Sequence, residues 1–259
     1  MREVTNQADA GAFVVTGSTG GIGLATARRL LEAGAKVTVT GRSQAKVDDV
    51  CRSLDGRDRV FGVAADLWET ASAEELLSHA RETMGQLTGV VLSHGGEHYP
   101  QLLLESTAEE DRVTAEHMLL SNIRVVRAAV RQLKDADVAD KSIVFVTSEA
   151  GRFPTVGESV IGACAAANMM FMRSVAREAA RFGVRSNAVS VSITHETPAY
   201  ERVMAADEFT RRLFARAADR MPLGHVTADH VAESIIGLLL PSGSRVTGQL
   251  IGVTAGLAI

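Results

Sequence analysis

The sequence predicts a single-domain α/β fold, a doubly wound parallel sheet with helices on both faces. Three observations support this prediction. Short β-rich runs alternate with longer stretches of helical period along the 259 residues. The predicted strands are almost continuously apolar, which is typical of strands that are buried on both faces. No repeat, low-complexity tract or linker divides residues 1–259, and a chain of this length can bury one large core.

Each element follows from its own local pattern. Apolar, β-rich runs bounded by turn residues predict strands at residues 13–16, 36–40, 59–65, 89–93, 142–147, 184–190 and 249–253. Apolar residues at helical spacing predict helices at residues 22–33, 73–84, 108–133, 159–182 and 228–240, with two shorter helices within 198–220. Gly34 ends the first helix, and Ser43 is a predicted N-cap for a helix after the second strand.

Composition excludes several classes of protein. Hydrophobic residues make up 46% of the chain, charged residues 22%, and the formal net charge is -4. No basic run indicates a nucleic-acid surface, and apolar stretches such as residues 235–240 are too short to span a bilayer. Residues 1–10 are polar, unlike a signal peptide. Cys51 and Cys164 are too few for a disulfide framework and match no metal spacing. We therefore expect a cytoplasmic protein without nucleic-acid or membrane partners.

A glycine-rich turn follows the first strand. Residues 16–23 read Thr-Gly-Ser-Thr-Gly-Gly-Ile-Gly, between an apolar strand and an amphipathic helix. Glycines allow a tight turn and a close approach to a pyrophosphate, and the helix N-terminus presents free N–H groups to the anion. In this context the turn predicts a dinucleotide site. The predicted contacts are Gly17, Ser18, Thr19, Gly21, Ile22 and Gly23.

The residues after the second strand indicate which dinucleotide is bound. NAD-binding proteins commonly place a carboxylate there for the adenosine ribose, whereas this chain has Arg42 and Ser43. An arginine pairs with a 2′-phosphate and a serine can donate a hydrogen bond to it, so NADP is favoured over NAD. Arg42 as a solvated loop charge is the alternative. Asp66, after the third strand, is placed either to meet the adenine edge or to cap the next helix.

These motifs together resemble the short-chain dehydrogenase/reductase family over nearly the whole chain. The glycine turn has the family's Thr-Gly-x-x-x-Gly-x-Gly spacing, and residues 185–189 and 248–256 resemble its sixth and closing strands. The resemblance implies an adenine-binding role for Asp66 and Leu67. It further implies a structural and proton-relay role for Asn122 and a catalytic role for Ser148.

The departures from the family pattern fall in the nicotinamide half. Residues 93–96 read Ser-His-Gly-Gly where the family usually has Asn-Asn-Ala-Gly, and Val-Ser replaces Pro-Gly at residues 191–192. The resemblance places the family's catalytic tyrosine at Ile161 and its lysine at Ala165. Tyr99 and Tyr200 are the only tyrosines, and no lysine occurs after Lys141. Standard alcohol dehydrogenase activity is therefore not expected of this chain alone, because positioned acid–base catalysis contributes roughly 10²–10⁴-fold.

Other residues are candidate proton donors, and each has a structural alternative. Cys164 shares a helix face with Ile161, but a buried cysteine is usually a small hydrophobe. His94 follows the fourth strand and is either an acid or base, or a hydrogen-bonded loop histidine. His195 and Glu196 lie in the expected substrate loop and are otherwise solvated. Glu149 beside Ser148 is a candidate acid that otherwise points to solvent.

Three functions remain open at this point. The first is a non-catalytic subunit that pairs with an active short-chain dehydrogenase paralogue. The second is an oxidoreductase, or a lyase or isomerase, of altered mechanism acting on a small carbonyl or hydroxy substrate. The third is a dinucleotide-responsive regulatory protein. Residues 161–172 form an apolar stripe on a helix that in this family packs against a partner subunit, so a homo- or hetero-oligomer is expected.

Overall fold

A parallel seven-stranded sheet forms the centre of the protein, as the sequence predicts. The computed structural model describes residues 10–95, 99–206, 208–243 and 245–257, so the polar residues 1–9 and Gly96 lie outside the described residues. The strands are β1 (Ala12–Thr16), β2 (Lys36–Gly41), β3 (Val60–Ala64), β4 (Gly89–Leu92), β5 (Lys141–Ser148), β6 (Val184–Val191) and β7 (Leu250–Val253). Their order is β3-β2-β1-β4-β5-β6-β7, with every neighbouring pair parallel.

Helices connect successive strands and lie on the two faces of this sheet. They are α1 (Gly21–Glu32), α2 (Gln44–Ser53), α3 (Ser72–Met84), α4 (Ala108–Ala115), α5 (Ser121–Lys134), α6 (Ser159–Ala179), α7 (Pro198–Ala205), α8 (Glu208–Ala218) and α9 (Ala228–Leu239). Strands β1 to β3 extend the sheet in one direction and strands β4 to β7 extend it in the other, so the order of strand addition reverses between β1 and β4. In an open α/β sheet a crevice forms at this point, outside the carboxyl ends of the strands.

The two faces of the sheet carry separate hydrophobic cores. Along β1, Val14 joins the core that includes residues of α3 and α5, whereas Phe13 and Val15 join the core that includes residues of α1 and α9. All three side chains are almost fully buried. Burying each of these large apolar side chains contributes roughly 1.5–3 kcal/mol. Burial on both faces explains why the strands are apolar at successive positions, and it confirms the predicted two-sided sheet.

The long helix predicted over residues 108–133 is confirmed, and it contains a π-helical turn that the sequence does not predict. A π-helical turn, Glu116–Leu120, separates α4 from α5. The side-chain amides of Asn122 and Asn168 both donate to the carbonyl oxygen of Met118, at 2.8 and 2.7 Å. Because these two side chains bond to that carbonyl, the backbone hydrogen-bond pattern widens locally, as it does in π-bulges near functional sites.

Helix α6 continues into a short 3₁₀ turn and is the most apolar long helix of the fold. Among the described residues, the segment Ser159–Phe182 alone is long and apolar enough to cross a membrane by length and composition. Ala165 and Met172 are completely buried, however, and Met172 belongs to the core beside α3 and α5. The segment therefore packs as a core helix of the α/β domain.

Candidate active site

A cleft of about 590 Å³ runs along the carboxyl ends of the strands, at the point where the strand order reverses. The residue at or just beyond the end of each of six strands lines it, namely Gly17, Gly41, Ala65, Ser93, Ser148 and Val191. Arg42 and Asp66 mark one end of the cleft, and Asn122 and Ile161 mark the other. The residues of both halves that the sequence predicts therefore lie in one continuous space.

The glycine turn after β1 forms the floor of the cleft. Gly17 has a φ of 64°, and a Cβ atom there would lie 2.7 Å from the Cα atom of His94. A Cβ atom at Gly23 would lie 2.5 Å from the carbonyl oxygen of Gly17. Helix α1 begins here without a side-chain cap and without an acidic residue in its first turn. Its first N–H groups are therefore available to an anion.

The predicted loop residues divide into those that line the cleft and those that support it. Gly17, Thr19, Gly21 and Ile22 line the cleft, whereas Ser18 and Gly23 do not. Ser18 is fully buried, and its hydroxyl donates to the carbonyl oxygen of Val15 at 2.6 Å and accepts from the N–H of Thr40 at 2.8 Å. The Ser18 side chain therefore joins the ends of β1 and β2, and the predicted cofactor contact of Ser18 stays a prediction. Gly23 permits the close packing of α1 on the turn.

Arginine and lysine side chains line the cleft beyond β2. Arg42 lines it as predicted, and so does Lys46, which the sequence analysis missed. Ser43 lies outside the lining and is the N-cap of α2, with its hydroxyl 3.5 Å from the N–H of Lys46. The predicted N-cap role of Ser43 is confirmed, and its predicted role as a phosphate contact finds no support in this placement. The signal that could have identified Lys46 from the sequence is its position in the first turn of the helix that follows β2.

A stack of flat side chains borders the same end of the cleft. The Arg42 guanidinium carbon lies 4.3 Å from the centre of the Trp68 ring, and that ring stacks on His117 at 3.5 Å and 13°. Asp66 and Leu67 line the cleft next to Trp68. Asp66 accepts a hydrogen bond from the N–H of Trp68 at 3.1 Å. Helix α3 has Ala71 as its N-cap, so the alternative in which Asp66 caps that helix is wrong.

His94 is a hydrogen-bonded loop histidine. Its Nδ1 atom lies 2.7 Å from the hydroxyl of Thr16, and its Nε2 atom lies 3.1 Å from the hydroxyl of Ser121. Burial lowers the pKa of His94 to about 4, so the ring is neutral at pH 7. A neutral imidazole with both nitrogens engaged is a poor proton donor. The geometry therefore favours the structural alternative for His94 over the catalytic one.

Cys164 and Glu149 lie outside the cleft lining. Cys164 is buried, and burial raises the pKa of its thiol. Glu149 is also buried, so the expectation that it points to solvent is wrong. One of its carboxylate oxygens accepts from the hydroxyl of Ser190 at 2.6 Å and from Arg152 at 3.3 Å. Both placements argue against these residues as replacement proton donors.

The predicted substrate loop reaches the cleft through other residues than expected. Thr194, Thr197 and Tyr200 line the cleft, whereas His195 and Glu196 do not. The His195 ring stacks on His225 at 4.0 Å, and its centre lies 4.4 Å from that of Tyr200. Burial, followed by the nearby His225, lowers the pKa of His195. The ring of His195 therefore supports the loop behind Tyr200.

Polar groups at the far end of the cleft lack partners within the described residues. They are the side-chain oxygens of Asn122, Thr147, Ser192 and Thr194, which are all buried. All four residues line the cleft. Ser148 also lines it, and its hydroxyl oxygen accepts from the N–H of Ala150 at 3.1 Å. Buried polar atoms are normally hydrogen-bonded, so this wall is suited to a polar ligand.

The chemistry that the Asn122 end of the cleft can support depends on Ile161, Ala165 and Glu158. Ile161 lines the cleft and a neighbouring cavity of about 220 Å³, and Ala165 is completely buried. Neither side chain can transfer a proton. Glu158, which the sequence analysis missed, lines the same cleft, and burial raises the pKa of its carboxyl to about 7. In the sequence this residue is one ordinary acid before a helix, and only its burial distinguishes it.

The comparisons with known proteins agree with this arrangement. Residues 12–208 match the short chain dehydrogenase family. This chain belongs to the short-chain dehydrogenase family. It is 33% identical over 255 residues to a hexahydro-1H-indene-carboxyl-CoA reductase of Mycobacterium tuberculosis, covering 95% of this chain and 92% of that protein. It is 28% identical over 248 residues to a tropinone reductase homolog of Arabidopsis thaliana, covering 95% and 91%.

Solved structures of short-chain dehydrogenases have the same fold. Actinorhodin polyketide ketoreductase with NADPH has a TM-score of 0.87 at 26% identity, covering 98% of each chain. A glucose/ribitol-type dehydrogenase from Brucella melitensis has a TM-score of 0.86 at 26% identity, covering 96% of each chain. The chain is therefore a member of an oxidoreductase family that binds NAD(P).

The residues of this chain fit such a dinucleotide. Glycine at position 17 lets the turn pack closely on the His94 backbone, and the uncapped N–H groups at the start of α1 suit a pyrophosphate. Arg42 and Lys46 offer positive charge at the adenosine end. At the opposite end, the unpartnered oxygens of Ser192 and Thr194 match the hydrogen-bonding capacity of a carboxamide. Both halves of the cleft are therefore suited to the two halves of NAD(P).

Proposed function

We propose that this protein is an NADP(H)-dependent oxidoreductase that interconverts a small carbonyl compound and its alcohol without the tyrosine–lysine pair. The observation that carries the proposal is the continuous cleft, which joins the glycine turn and Arg42 to Ser148 and Asn122. These residues would hold a dinucleotide, which would supply a hydride, and Ser148 and Asn122 are groups that can bind and polarise a carbonyl oxygen. The relatives described above, which are named as reductases, further support a reductive reaction.

The preference for NADP rests on charge at the adenosine end. Arg42 and Lys46 line the cleft there, and no carboxylate follows β2 to accept from the ribose hydroxyls. A guanidinium binds phosphate through several donors at once, and an ammonium adds a point charge. The stack of Arg42 on Trp68 holds the guanidinium at the rim of the cleft. A 2′-phosphate is therefore attracted at this end.

At the reaction end, the chain's own residues orient the substrate and exclude water. The bound dinucleotide supplies or accepts a hydride. Ser148 retains a hydroxyl proton that it can donate to a carbonyl oxygen. Asn122 donates to the carbonyl of Met118 and, at 3.3 Å, to Asn168, which fixes the wall behind the substrate. Ile161 covers one side with an apolar surface, and a dry site strengthens each polar contact within it.

A second candidate function is a non-catalytic subunit that partners an active short-chain dehydrogenase paralogue in the cytoplasm. Ile161 and Ala165 favour it, because the resemblance places the family's tyrosine and lysine at these two residues, neither of which can move a proton. The exposed side chain of Met170 on α6 also favours it, since an apolar group on this helix is suited to a subunit contact. In that case the cleft contributes cofactor binding or a wall of the partner's site.

Fluorescence of Trp68, the only tryptophan, gives a direct binding test. We expect NADPH to quench it at lower concentration than NADH, because Trp68 lines the cleft next to Arg42. Arg42→Glu should reverse this order, since a carboxylate repels the 2′-phosphate. The matched control is Arg52→Glu, because Arg52 is exposed on α2 and lies outside the cleft lining. No binding of either dinucleotide would refute the oxidoreductase function and leave the subunit only the role of a wall of the partner's site.

A turnover screen separates the two candidates. Wild-type protein is assayed with NADPH and a panel of ketones and aldehydes, and with NADP and the corresponding alcohols. Turnover by the purified chain supports the oxidoreductase. Binding of NADPH without turnover, followed by turnover only when an intact paralogue is added, supports the non-catalytic subunit.

A further inference from the structure

Glu158 places a carboxyl group in the reaction half of the cleft. It directly precedes α6, three residues before Ile161, and both residues line the cleft together with Ser148 and Asn122. Its side chain does not cap the helix, although a serine, threonine or aspartate at this position normally would. Within the described residues its carboxyl has no hydrogen-bond or ion-pair partner. An acid in this position is thus free to meet a ligand.

Several charged groups near the start of α6 are paired with one another, whereas Glu110 accepts from Thr107 and Asp111 also borders the neighbouring cavity. On the elements that pack against this helix, Glu149 pairs with Arg152, Glu109 with Arg112, and Glu116 with Arg124. Lys141 and Arg185 lie at the opposite ends of β5 and β6 from the cleft. Across the cleft, α7 contributes Tyr200 and Arg202. None of these groups offsets the burial that raises the pKa of Glu158 to about 7.

The apolar residues that follow Glu158 suit a protonated carboxyl. Ile161 is the next residue of α6 along the cleft wall, and Ala165 one turn later is buried. An ammonium group close to a carboxyl would hold it ionised, whereas apolar surroundings favour its neutral form. The residues that make the family's phenol impossible here are therefore compatible with a carboxylic acid. A phenol needs its pKa lowered from about 10, and a carboxyl needs its pKa raised.

We propose that Glu158 is the proton donor for carbonyl reduction in this cleft, an inference that rests on the oxidoreductase function proposed above. The carbonyl carbon receives a hydride from the reduced nicotinamide dinucleotide, and the π electrons of the C=O bond move to oxygen. The O–H bond of the Glu158 carboxyl breaks as a new O–H bond forms on the substrate. The products are the alcohol, the oxidised dinucleotide and the Glu158 carboxylate, which regains a proton from solvent.

Infrared difference spectroscopy on the protein without cofactor detects this carboxyl directly. We expect the wild type to show the carbonyl stretch of a protonated carboxyl that disappears as pH rises through about 7. Glu158→Gln should remove this band. The matched control, Glu105→Gln, changes an exposed carboxyl outside the cleft and should leave the band unchanged. Absence of a band titrating near pH 7 in the wild type would overturn the proposal.

Turnover measurements complete the test. With NADPH and a carbonyl substrate found in the screen, the wild-type rate should fall as pH rises above about 7, as Glu158 loses its proton. Glu158→Gln should lose roughly 10²–10⁴-fold in kcat and its dependence on this ionisation, and Glu158→Asp should restore part of the rate. Glu105→Gln should match the wild type.

Binding of NADPH, followed by Trp68 fluorescence, verifies that each variant is folded and loaded. Turnover by Glu158→Gln within a few-fold of the wild type would overturn the assignment of Glu158 and leave the oxidoreductase function standing. Failure of the wild type to turn over any substrate, despite NADPH binding, would overturn the oxidoreductase function and this assignment with it. The two failures are therefore distinguishable.

Discussion

Burial keeps the His94 ring neutral at pH 7, because its pKa is lowered to about 4. Between that value and the ordinary pKa of about 6.5, the unfolded chain binds a proton that the folded protein does not. The contribution of His94 to the free energy of unfolding is therefore fully present above pH 6.5 and is lost as pH falls towards 4.

The substitution His94→Asn tests this pH dependence. At pH 7 the variant should be less stable by about 1–2 kcal/mol, since it loses hydrogen bonds to Thr16 and Ser121. The difference in unfolding free energy should shrink and then reverse in sign as pH falls from 6.5 to 4, because proton binding by the unfolded wild type changes it by up to about 3 kcal/mol. Urea denaturation at a series of pH values measures it. His79→Asn, on an exposed histidine, should show no such trend. A constant difference would refute the lowered pKa.

Glu158 should influence stability in the opposite direction. Its folded pKa of about 7 lies above the unfolded value, so the folded protein binds the extra proton between pH 4.5 and 7. Stability falls as pH rises through this range. The glutamine of Glu158→Gln does not bind this proton. The free energy of unfolding of the variant, relative to that of the wild type, should therefore rise by on the order of 2 kcal/mol between pH 5 and pH 8. Thermal unfolding at the two pH values measures it, with Glu105→Gln as the control. Equal shifts in both variants would contradict the prediction.

These residues show where sequence reasoning ends. The glycine turn, Arg42, Asp66 and Ser148 were predicted as cleft residues because each follows a strand at a recognisable position. Burial is a property of the folded chain, so no local pattern separates Glu158 from an ordinary surface acid. The same limit applies to Ser18, whose buried bonds to Val15 and Thr40 depend on how β1 and β2 lie side by side.

The turn between β1 and α1 requires glycine at its first position for two separate reasons. Gly17 has a left-handed φ of 64°, and a Cβ atom would lie 2.7 Å from the His94 backbone. Gly85 also has a left-handed φ, 80°, but a Cβ atom there would meet nothing within 4 Å. A comparison of the two glycines therefore separates the cost of the backbone angle from the cost of crowding.

We expect Gly85→Ala to destabilise the protein by about 1 kcal/mol, the ordinary cost of a left-handed alanine. Gly17→Ala should cost clearly more, because the His94 backbone must move to make room. It should also weaken NADPH binding, which Gly85→Ala should leave unchanged. Urea denaturation and Trp68 fluorescence provide the two measurements. Equal destabilisation by both substitutions would show that the turn tolerates a side chain.

The π-helical turn between α4 and α5 was beyond sequence prediction for a similar reason. Its cause includes the amide of Asn168, which donates to Met118 from a helix that comes 50 residues later in the chain. The helical periodicity of residues 108–133 predicts the helix but carries no signal for the π-helical turn within it. Only α5 buries residues in the core, whereas α4 and the π-helical turn bury none.

Association between subunits is predicted from the outer face of α6. Met169 and Met170 are neighbours in sequence, but Met169 is 5% exposed and Met170 is 62% exposed. If α6 contacts a second subunit, Met170→Arg should shift the protein towards monomer while preserving the fold. Met169→Arg should instead unfold it, because a charge in the core costs several kcal/mol. Sedimentation and circular dichroism distinguish these outcomes.

Leu223→Arg, at another exposed apolar residue, is the control for general effects of added charge. A wild-type protein that sediments as a monomer at micromolar concentration would refute the prediction.

The arrangement of the sheet, in contrast, is already confirmed. Alternating strand and helix patterns predicted the parallel order, because a parallel connection needs a crossover helix and leaves both sheet faces covered.

Ile161 lines both the reaction cleft and the cavity of about 220 Å³ beside it. Its side chain thus borders two chambers, and we expect its length to limit how large a substrate the reaction end accepts. We expect a shorter side chain at this position to widen the reaction end towards the second chamber, while Arg42 and the glycine turn remain unchanged. Substrate size and cofactor choice can therefore diverge independently among descendants of this protein. At the position where the family resemblance implies a tyrosine, this chain therefore has a side chain whose size can be varied to adjust the range of substrates.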